Sequence, residues 1–220
     1  MRPLPTLAFM AACTLASVPA YAKKVQPWPT VNASAPLGKG WSISGEVVGR
    51  ADREHSGPSQ LETRLQLGHS IGRDLTLWVG YVHVVSYPPL GRVGLENQVV
   101  EQLNWKAGSI AGITFSSRTR LEQRFQRGAN ATNWRVREQV KASVPLGRHA
   151  TGIVWVEPFW ALNQTSGVRR GFDQLRSFAG ISVPLSKHVE IEAGYLNQFL
   201  PRASGDIHND TVPVTLYVRF

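Results

Sequence analysis

The last ten residues, Thr211–Phe220 (TVPVTLYVRF), carry the pattern that decides the fold. From Val212 onward every second residue is apolar, and the residues between them include Thr215 and Arg219. A period of two is typical of a β-strand whose two faces meet different environments. The C-terminus is therefore predicted to be a strand with one continuous apolar face.

The same alternation recurs along the rest of the chain, and no segment reads as an amphipathic helix. In the segment 131–144, for example, Trp134 and Val136 alternate with Arg135 and Arg137. The parity of 94–106 and of 151–163 stays open. We predict ten strands at residues 40–51, 59–68, 74–86, 94–106, 110–126, 131–144, 151–163, 172–183, 188–200 and 211–220.

The connections between these segments alternate between two classes. Tight turns are predicted at 70–73, 107–109, 146–150 and 185–187, and longer polar loops at 52–58, 87–93, 127–130, 164–171 and 201–210. Only 127–130 is as short as a tight turn. Short turns at one end and longer loops at the other are typical of a transmembrane β-barrel. The predicted fold is all-β, a single antiparallel transmembrane barrel of about ten strands over residues 40–220, with both mature termini in the periplasm. A soluble periplasmic β-sandwich that binds a ligand is the alternative fold.

The N-terminus predicts export. Residues 1–22 combine Arg2, a short apolar stretch and the small-residue site Ala20-Tyr21-Ala22, which together are typical of a cleaved signal peptide. Residues 23–39 contain three prolines and are predicted to be an irregular periplasmic lead-in. The single cysteine, Cys13, lies in the signal, so the mature chain has no thiol for a disulfide, zinc or redox site.

A chain of 220 residues with 24 Lys+Arg and 15 Asp+Glu is basic, and removal of residues 1–22 takes away one arginine and no acid, leaving a charge of +8. Because the basic residues alternate with apolar ones along strands, nucleic acid is not an expected partner. The expected location is the cell outer membrane, and the expected oligomeric state is a monomer. The expected partners are membrane lipid, lipopolysaccharide and the barrel assembly machinery. Arg92, Arg169 and Arg170 are expected to contact the phosphates of lipopolysaccharide. The alternating residues before the terminal Phe resemble the signal that the assembly machinery reads: Val214, Leu216, Val218 and Phe220.

Several motifs occur in a characteristic order: Arg118-x-Arg120-Leu121-Glu122-Gln123-Arg124-Phe125, Trp134-Arg135-Val136-Arg137, Val156-Glu157-Pro158-Phe159 and Glu192-Ala193-Gly194-Tyr195-x-x-Gln198. Together they resemble the bacterial domain-of-unknown-function 2490 family over essentially the whole mature chain. The resemblance implies an exported outer-membrane barrel. It implies no catalytic residues, because the family has no established activity.

The polar face of the predicted strands is rich in arginine and glutamate. Arg120 and Arg137 share the inward parity of neighbouring strands, and like charges set opposite each other need acidic partners nearby. We predict a lumen charge network that is either structural or the wall of a narrow, anion-leaning passage. Its members are Glu46, Glu62, Arg64, Arg118, Arg120, Glu122, Arg124, Arg135, Arg137, Lys141, Glu190 and Glu192.

An outer-surface hydrolase is the alternative function. Asp52 and His55 follow the first predicted strand, and Asp206, His208 and Asp210 precede the last, so barrel closure brings the two loops together. An Asp/His cluster at a barrel mouth could activate water. Apart from this alternative we predict no catalytic residues, and we predict no metal and no cofactor.

Overall fold

A computed structural model describes residues 25–51, 58–88 and 91–220. These residues form eleven β-strands joined into one closed barrel. The predicted signal peptide, Cys13, Asp52 and His55 lie outside the described residues. The strands are β1 (Gln26–Gly38), β2 (Trp41–Ala51), β3 (Pro58–Ile71), β4 (Leu75–Ser86), β5 (Gly94–Ile110), β6 (Ile113–Gln126), β7 (Asn133–Pro145), β8 (Thr151–Ala161), β9 (Gly171–Pro184), β10 (Val189–Leu200) and β11 (Ile207–Arg219).

The all-β barrel is confirmed, and each of the ten predicted strands corresponds to one of β2–β11. Consecutive strands pair antiparallel, and β1 closes the barrel by pairing with β11 in parallel. The alternative β-sandwich is wrong, because the strands form one closed sheet and not two facing sheets. No helix in the described part of the chain is long and apolar enough to cross a membrane.

The interpretation of residues 23–39 as an irregular lead-in is wrong, because most of this segment is β1. Prolines argue against a strand, since they cannot donate to a ladder. Here the ladder of β1 with β2 begins only at Thr30, so Pro27 and Pro29 lie where β1 has β11 as its only partner. Pro36 lies at a register shift. The barrel therefore has eleven strands, one more than the ten predicted from the sequence.

The parallel closure also fixes the two ends of the barrel. Gln26 lies beside Thr211, whereas Ser34 lies beside Arg219, so β1 begins at the end opposite to Phe220. The placement of both termini on one side is therefore wrong for the chain from Gln26 onward. We call the end of Phe220 the short-turn end, which holds connections 39–40, 72–74, 111–112, 146–150 and 185–188. The opposite end, where β2 and β4 end, is the long-loop end, and it holds the connections 127–132, 162–170 and 201–206.

One predicted turn is displaced. The turn expected at 107–109 lies instead at Ala111 and Gly112, and Ala107 is left without a partner where the register of β5 and β6 shifts. Ala111 and Gly112 both have positive φ angles, of 51° and 82°. Two consecutive positive φ angles are the geometry of the tight hairpin turn that matches strand twist. The hairpin is consequently longer than the sequence pattern indicated.

The outward face of the barrel is largely apolar. Val31, Val47, Leu65, Val154 and Val214 all expose their side chains on this face. Aromatic side chains flank the apolar surface at the two ends: Phe125, Trp134, Trp160 and Phe172 toward the long loops, and Trp41 and Trp105 toward the short turns.

Candidate functional site

The interior of the barrel is lined by charged side chains that the strand period turns inward. On β6 the even-numbered residues point into the lumen, and the side chains of Arg120 and Glu122 are only 2% and 1% exposed. On β7 the inward residues are the odd-numbered ones, including Arg135 and Arg137. Because side chains alternate, a strand that shows an apolar face outward can carry a row of charges inward.

Glu122 joins the arginines of β6 and β7. Arg120 lies directly opposite Arg137 in the register, which places two like charges across one ladder. Glu122 accepts a hydrogen bond from Arg137 Nη1 at 2.8 Å and another from Arg135 Nε at 2.6 Å. Its Oε1 lies 4.0 Å from Arg120 Nη1. The carboxylate therefore offsets the repulsion that the register creates.

Glu157 on β8 is the second acid of this cluster. Arg137 Nη2 lies 2.9 Å from both carboxylate oxygens of Glu157, and Arg118 Nη2 donates to Oε1 at 2.8 Å. Arg137 thus bridges Glu122 and Glu157, and all three side chains are more than nine-tenths buried. Removing one partner from a buried ion pair costs about 3–5 kcal/mol, because an uncompensated charge is left behind.

A second cluster joins β2 and β3. Arg64 places Nη1 and Nη2 2.5 Å from carboxylate oxygens of Glu46 and Glu62, respectively. Arg50 also pairs with Glu62, at 3.0 Å, and donates to Gln60 at 2.6 Å.

Three further pairs lie on other parts of the wall. Arg124 makes a two-point contact with Glu96, at 2.6 and 2.8 Å. Lys141 lies 3.6 Å from Glu192, and Arg219 lies 2.6 Å from Glu190, which also accepts a hydrogen bond from Ser182. Each of the twelve residues named for the lumen network from the sequence therefore takes part in at least one ion pair.

Other residues at the centre of the lumen were not in that set. Arg176 lies between two aromatic rings, 5.3 Å from the centre of Trp28 and 4.8 Å from the centre of Phe159. Phe159 also contacts Arg137, whose guanidinium carbon lies 4.2 Å from the ring centre. The parity of β9 could have identified Arg176, because it shares a face with Phe178 and Ser182. Trp28 could not be identified, because its segment did not read as a strand.

The lumen is filled on the long-loop side of these clusters. Phe159, Val82 and Val100 are fully buried, and the buried amide of Gln174 accepts a hydrogen bond from Gln198 at 2.6 Å. Charged and apolar side chains therefore pack into a buried layer in this part of the barrel.

Two cavities lie on the short-turn side of the layer. The central cavity, of about 180 Å³, reaches Trp28, Arg176 and Tyr217. The second, of about 510 Å³, reaches Arg219 and Phe220 at the short-turn end. The two share the lining residues Glu46, Arg64, Arg118, Arg120 and Tyr217.

A separate cavity of about 790 Å³ lies under the long loops, and Arg169, Arg170 and Arg202 contribute to its wall. It has no lining residue in common with the central cavity. The loops above it are held together by side chains, since Asn130 accepts a hydrogen bond from Ser166 and Asn163 donates to the carbonyl of Thr132.

The described members of the loop cluster have different neighbours. Asp206 accepts a hydrogen bond from the backbone of Arg202, and Asp210 accepts from Tyr195 at 2.6 Å and from Asn197. The ring of His208 lies against Phe199. Within the ranges described, no group of three or more His, Cys, Asp and Glu residues is placed to hold a metal ion.

The residues of the predicted assembly signal lie on β11 and directly after it. Val214 is exposed on the outward face, and Phe220 is 74% exposed. The backbone N–H of Phe220 donates to the carbonyl of Ser34 at 3.0 Å, which joins the end of the chain to β1.

The fold and its interior define a closed eleven-stranded β-barrel with an arginine- and glutamate-rich lumen. The chain belongs to the family described as Protein of unknown function (DUF2490), whose profile matches residues 25–209 and so includes β1. It is similar to an uncharacterised protein of Methylorubrum extorquens, with 34% identity over 80% of this chain and 79% of that protein. No solved structure matches the chain.

Proposed function

We propose that the protein is an outer-membrane β-barrel that is closed at rest and has a structural role, and that it is not an open pore. The apolar outward face, flanked by aromatic residues at both ends, supports insertion in a bilayer, since transmembrane barrels carry such a band between aromatic girdles. Closure of the sheet supports it further, because a closed barrel leaves no unpaired strand edge facing lipid.

The layer of buried side chains around Arg137 is the observation that supports a closed lumen. This guanidinium joins Glu122 and Glu157, and Phe159 packs against it with no exposed surface. A water-filled passage would hydrate these groups, whereas the layer excludes solvent from them. Between the two roles that the sequence left open, this favours a structural barrel over a conducting passage.

Residues at the two ends of the barrel support contacts with other components of the cell. Arg169 and Arg170 lie in a long loop, where guanidinium groups can bind the phosphates of lipopolysaccharide. The exposed Phe220 and the alternating residues before it support recognition by the barrel assembly machinery. Deleting Phe220 should lower the yield of folded barrel in the outer membrane, and an unchanged yield would contradict this part of the proposal.

Reconstitution in a planar bilayer tests the closed state. The wild-type protein should insert, as shown by heat-modifiable mobility and protease protection, without steady conductance. A wild-type barrel that conducts would overturn the proposal, and replacing Arg120 and Arg137 with Glu would then shift its selectivity toward cations. Recovery of the native protein from the periplasm without detergent would overturn the membrane location.

A further inference from the structure

The wall of the central cavity carries more positive than negative charge. Seven cationic side chains and four carboxylates line it. Even when Glu122, which lies behind the wall, is counted as a fifth acid, the positive charges outnumber the negative ones. An excess of cations inside a low-dielectric wall attracts anions. The cations are Arg50, Arg64, Arg118, Arg120, Arg137, Lys141 and Arg176, and the acids are Glu46, Glu62, Glu157 and Glu192.

Among the described residues, Arg176 is the cation of this wall that forms no ion pair within 4.0 Å, and Glu157 attracts it only from a greater distance. The register places it opposite Glu157, but the oxygens of Glu157 receive hydrogen bonds from Arg137 and Arg118. Trp28 and Phe159 flank the guanidinium of Arg176, and its Nε is buried without a hydrogen-bond partner. Ring faces attract the cation but accept few of its five in-plane N–H donors.

Arg120 is the second incompletely neutralised group. Its Nε donates to the neutral amide oxygen of Gln102 at 2.8 Å, and the carboxylate of Glu122 stays 4.0 Å away. Its side chain is 2% exposed. A guanidinium that is buried this deeply ordinarily contacts a carboxylate directly.

The cavity continues toward the short-turn end, because its lining residues Arg118, Arg120 and Tyr217 also line the cavity there. On the long-loop side, Phe159 and Glu122 are fully buried. A small solute could therefore enter from the short-turn end and reach Arg120 before Arg176.

We propose that the central cavity binds a phosphate group, free or carried on a slim organic solute, with Arg176 and Arg120 as its principal donors. A tetrahedral oxyanion accepts hydrogen bonds from several directions, which suits guanidinium groups on different strands, whereas one guanidinium already satisfies a planar carboxylate. This inference deepens the proposed function and rests on it, because it takes the lumen to be closed toward the long loops.

Calorimetric titration of the mature protein, folded in a non-ionic detergent, tests the site. Inorganic phosphate and glycerol 3-phosphate are the two probes, with chloride at equal ionic strength as the reference. We expect one binding site for at least one probe, and we expect Arg176→Gln to weaken binding at least about tenfold, because a charge-assisted contact is lost. Binding of glycerol 3-phosphate alone would identify an organic phosphate as the ligand, and equal binding of both would identify the phosphate group itself.

Arg202→Gln is the matched control, since it removes one positive charge from a loop outside the cavity and should leave binding unchanged. If Arg176→Gln does not fold, Arg120→Gln takes its place. Absence of binding by both probes, or equal weakening in the cavity variant and the control, would overturn the inference. A conducting wild-type barrel would overturn the proposed function separately, because the titration needs no bilayer.

Discussion

Arg137 Nη2 lies 2.9 Å from both carboxylate oxygens of Glu157, and this contact joins β7 to β8 in the buried part of the lumen. The ladder between the two strands is interrupted between the pairs Arg137–Phe159 and Val140–Val156. Glu138 and Gln139 on β7, and Glu157 and Pro158 on β8, therefore have no partner in this ladder. Proline has no N–H to donate. The ion pair therefore bridges the strands where the backbone ladder is interrupted.

Replacing Glu157 with Gln should destabilise the barrel strongly. The substitution leaves Arg137 and Arg118 without their shared acid in a buried setting, which should lower the free energy of unfolding by about 3–5 kcal/mol. Urea unfolding in detergent, followed by tryptophan fluorescence, measures the change. Glu190→Gln is the control, because its partner Arg219 is 56% exposed and such pairs contribute about 0–1 kcal/mol. Equal effects of the two variants would contradict a special role for the buried pair.

Replacing Phe159 with Ala should open the buried layer around Arg137. The ring has no exposed surface and lies against Arg137 and Arg176, so its loss leaves a polar gap that water can enter. We expect anion-selective conductance in a planar bilayer and a free energy of unfolding lower by about 3–5 kcal/mol. Phe125→Ala, on the outward face, should not conduct. A silent Phe159→Ala barrel would show that other side chains close the lumen.

Deleting residues 26–38 should prevent closure of the barrel. Without β1, the facing edges of β2 and β11 lose their partners, and unpaired edges are not tolerated in lipid. The heat-modifiable shift in gel mobility should disappear. Deleting residues 23–25 instead is the control and should leave the shift intact. A normal shift in the larger deletion would show that ten strands suffice.

Gly194 should not tolerate a side chain. A Cβ placed there would lie 2.3 Å from the carbonyl oxygen of Ala179 and 2.7 Å from the ring of Phe178, so the backbone of β9 and β10 would have to separate. We expect Gly194→Ala to lower the yield of folded barrel severely. Gly45→Ala is the matched control, since its nearest neighbour would be the carbonyl oxygen of Arg64 at 4.0 Å. Refolding yield into detergent distinguishes them.

Local sequence is enough to define the strands from Trp41 onward and, outside residues 94–106 and 151–163, the face on which each charge lies. Alternation has a period of two, so the parity of Arg118 and Arg120 follows from the order of residues along β6. The same pattern places Arg135 and Arg137 together on β7. For this reason the twelve residues named from the sequence could be chosen from alternation alone, whereas Trp28 and Glu157 lie in segments whose pattern left them out.

The strand count and the pairing of charges depend on the tertiary structure. The prolines of β1 break the local pattern, and the segment becomes a strand because β11 offers it an edge from the far end of the chain. Which acid meets which arginine depends on register and curvature across several strands, as Arg118 and Glu157 show with a separation of 39 in sequence. Contacts across a lumen are non-local, so a period along one strand carries no information about them.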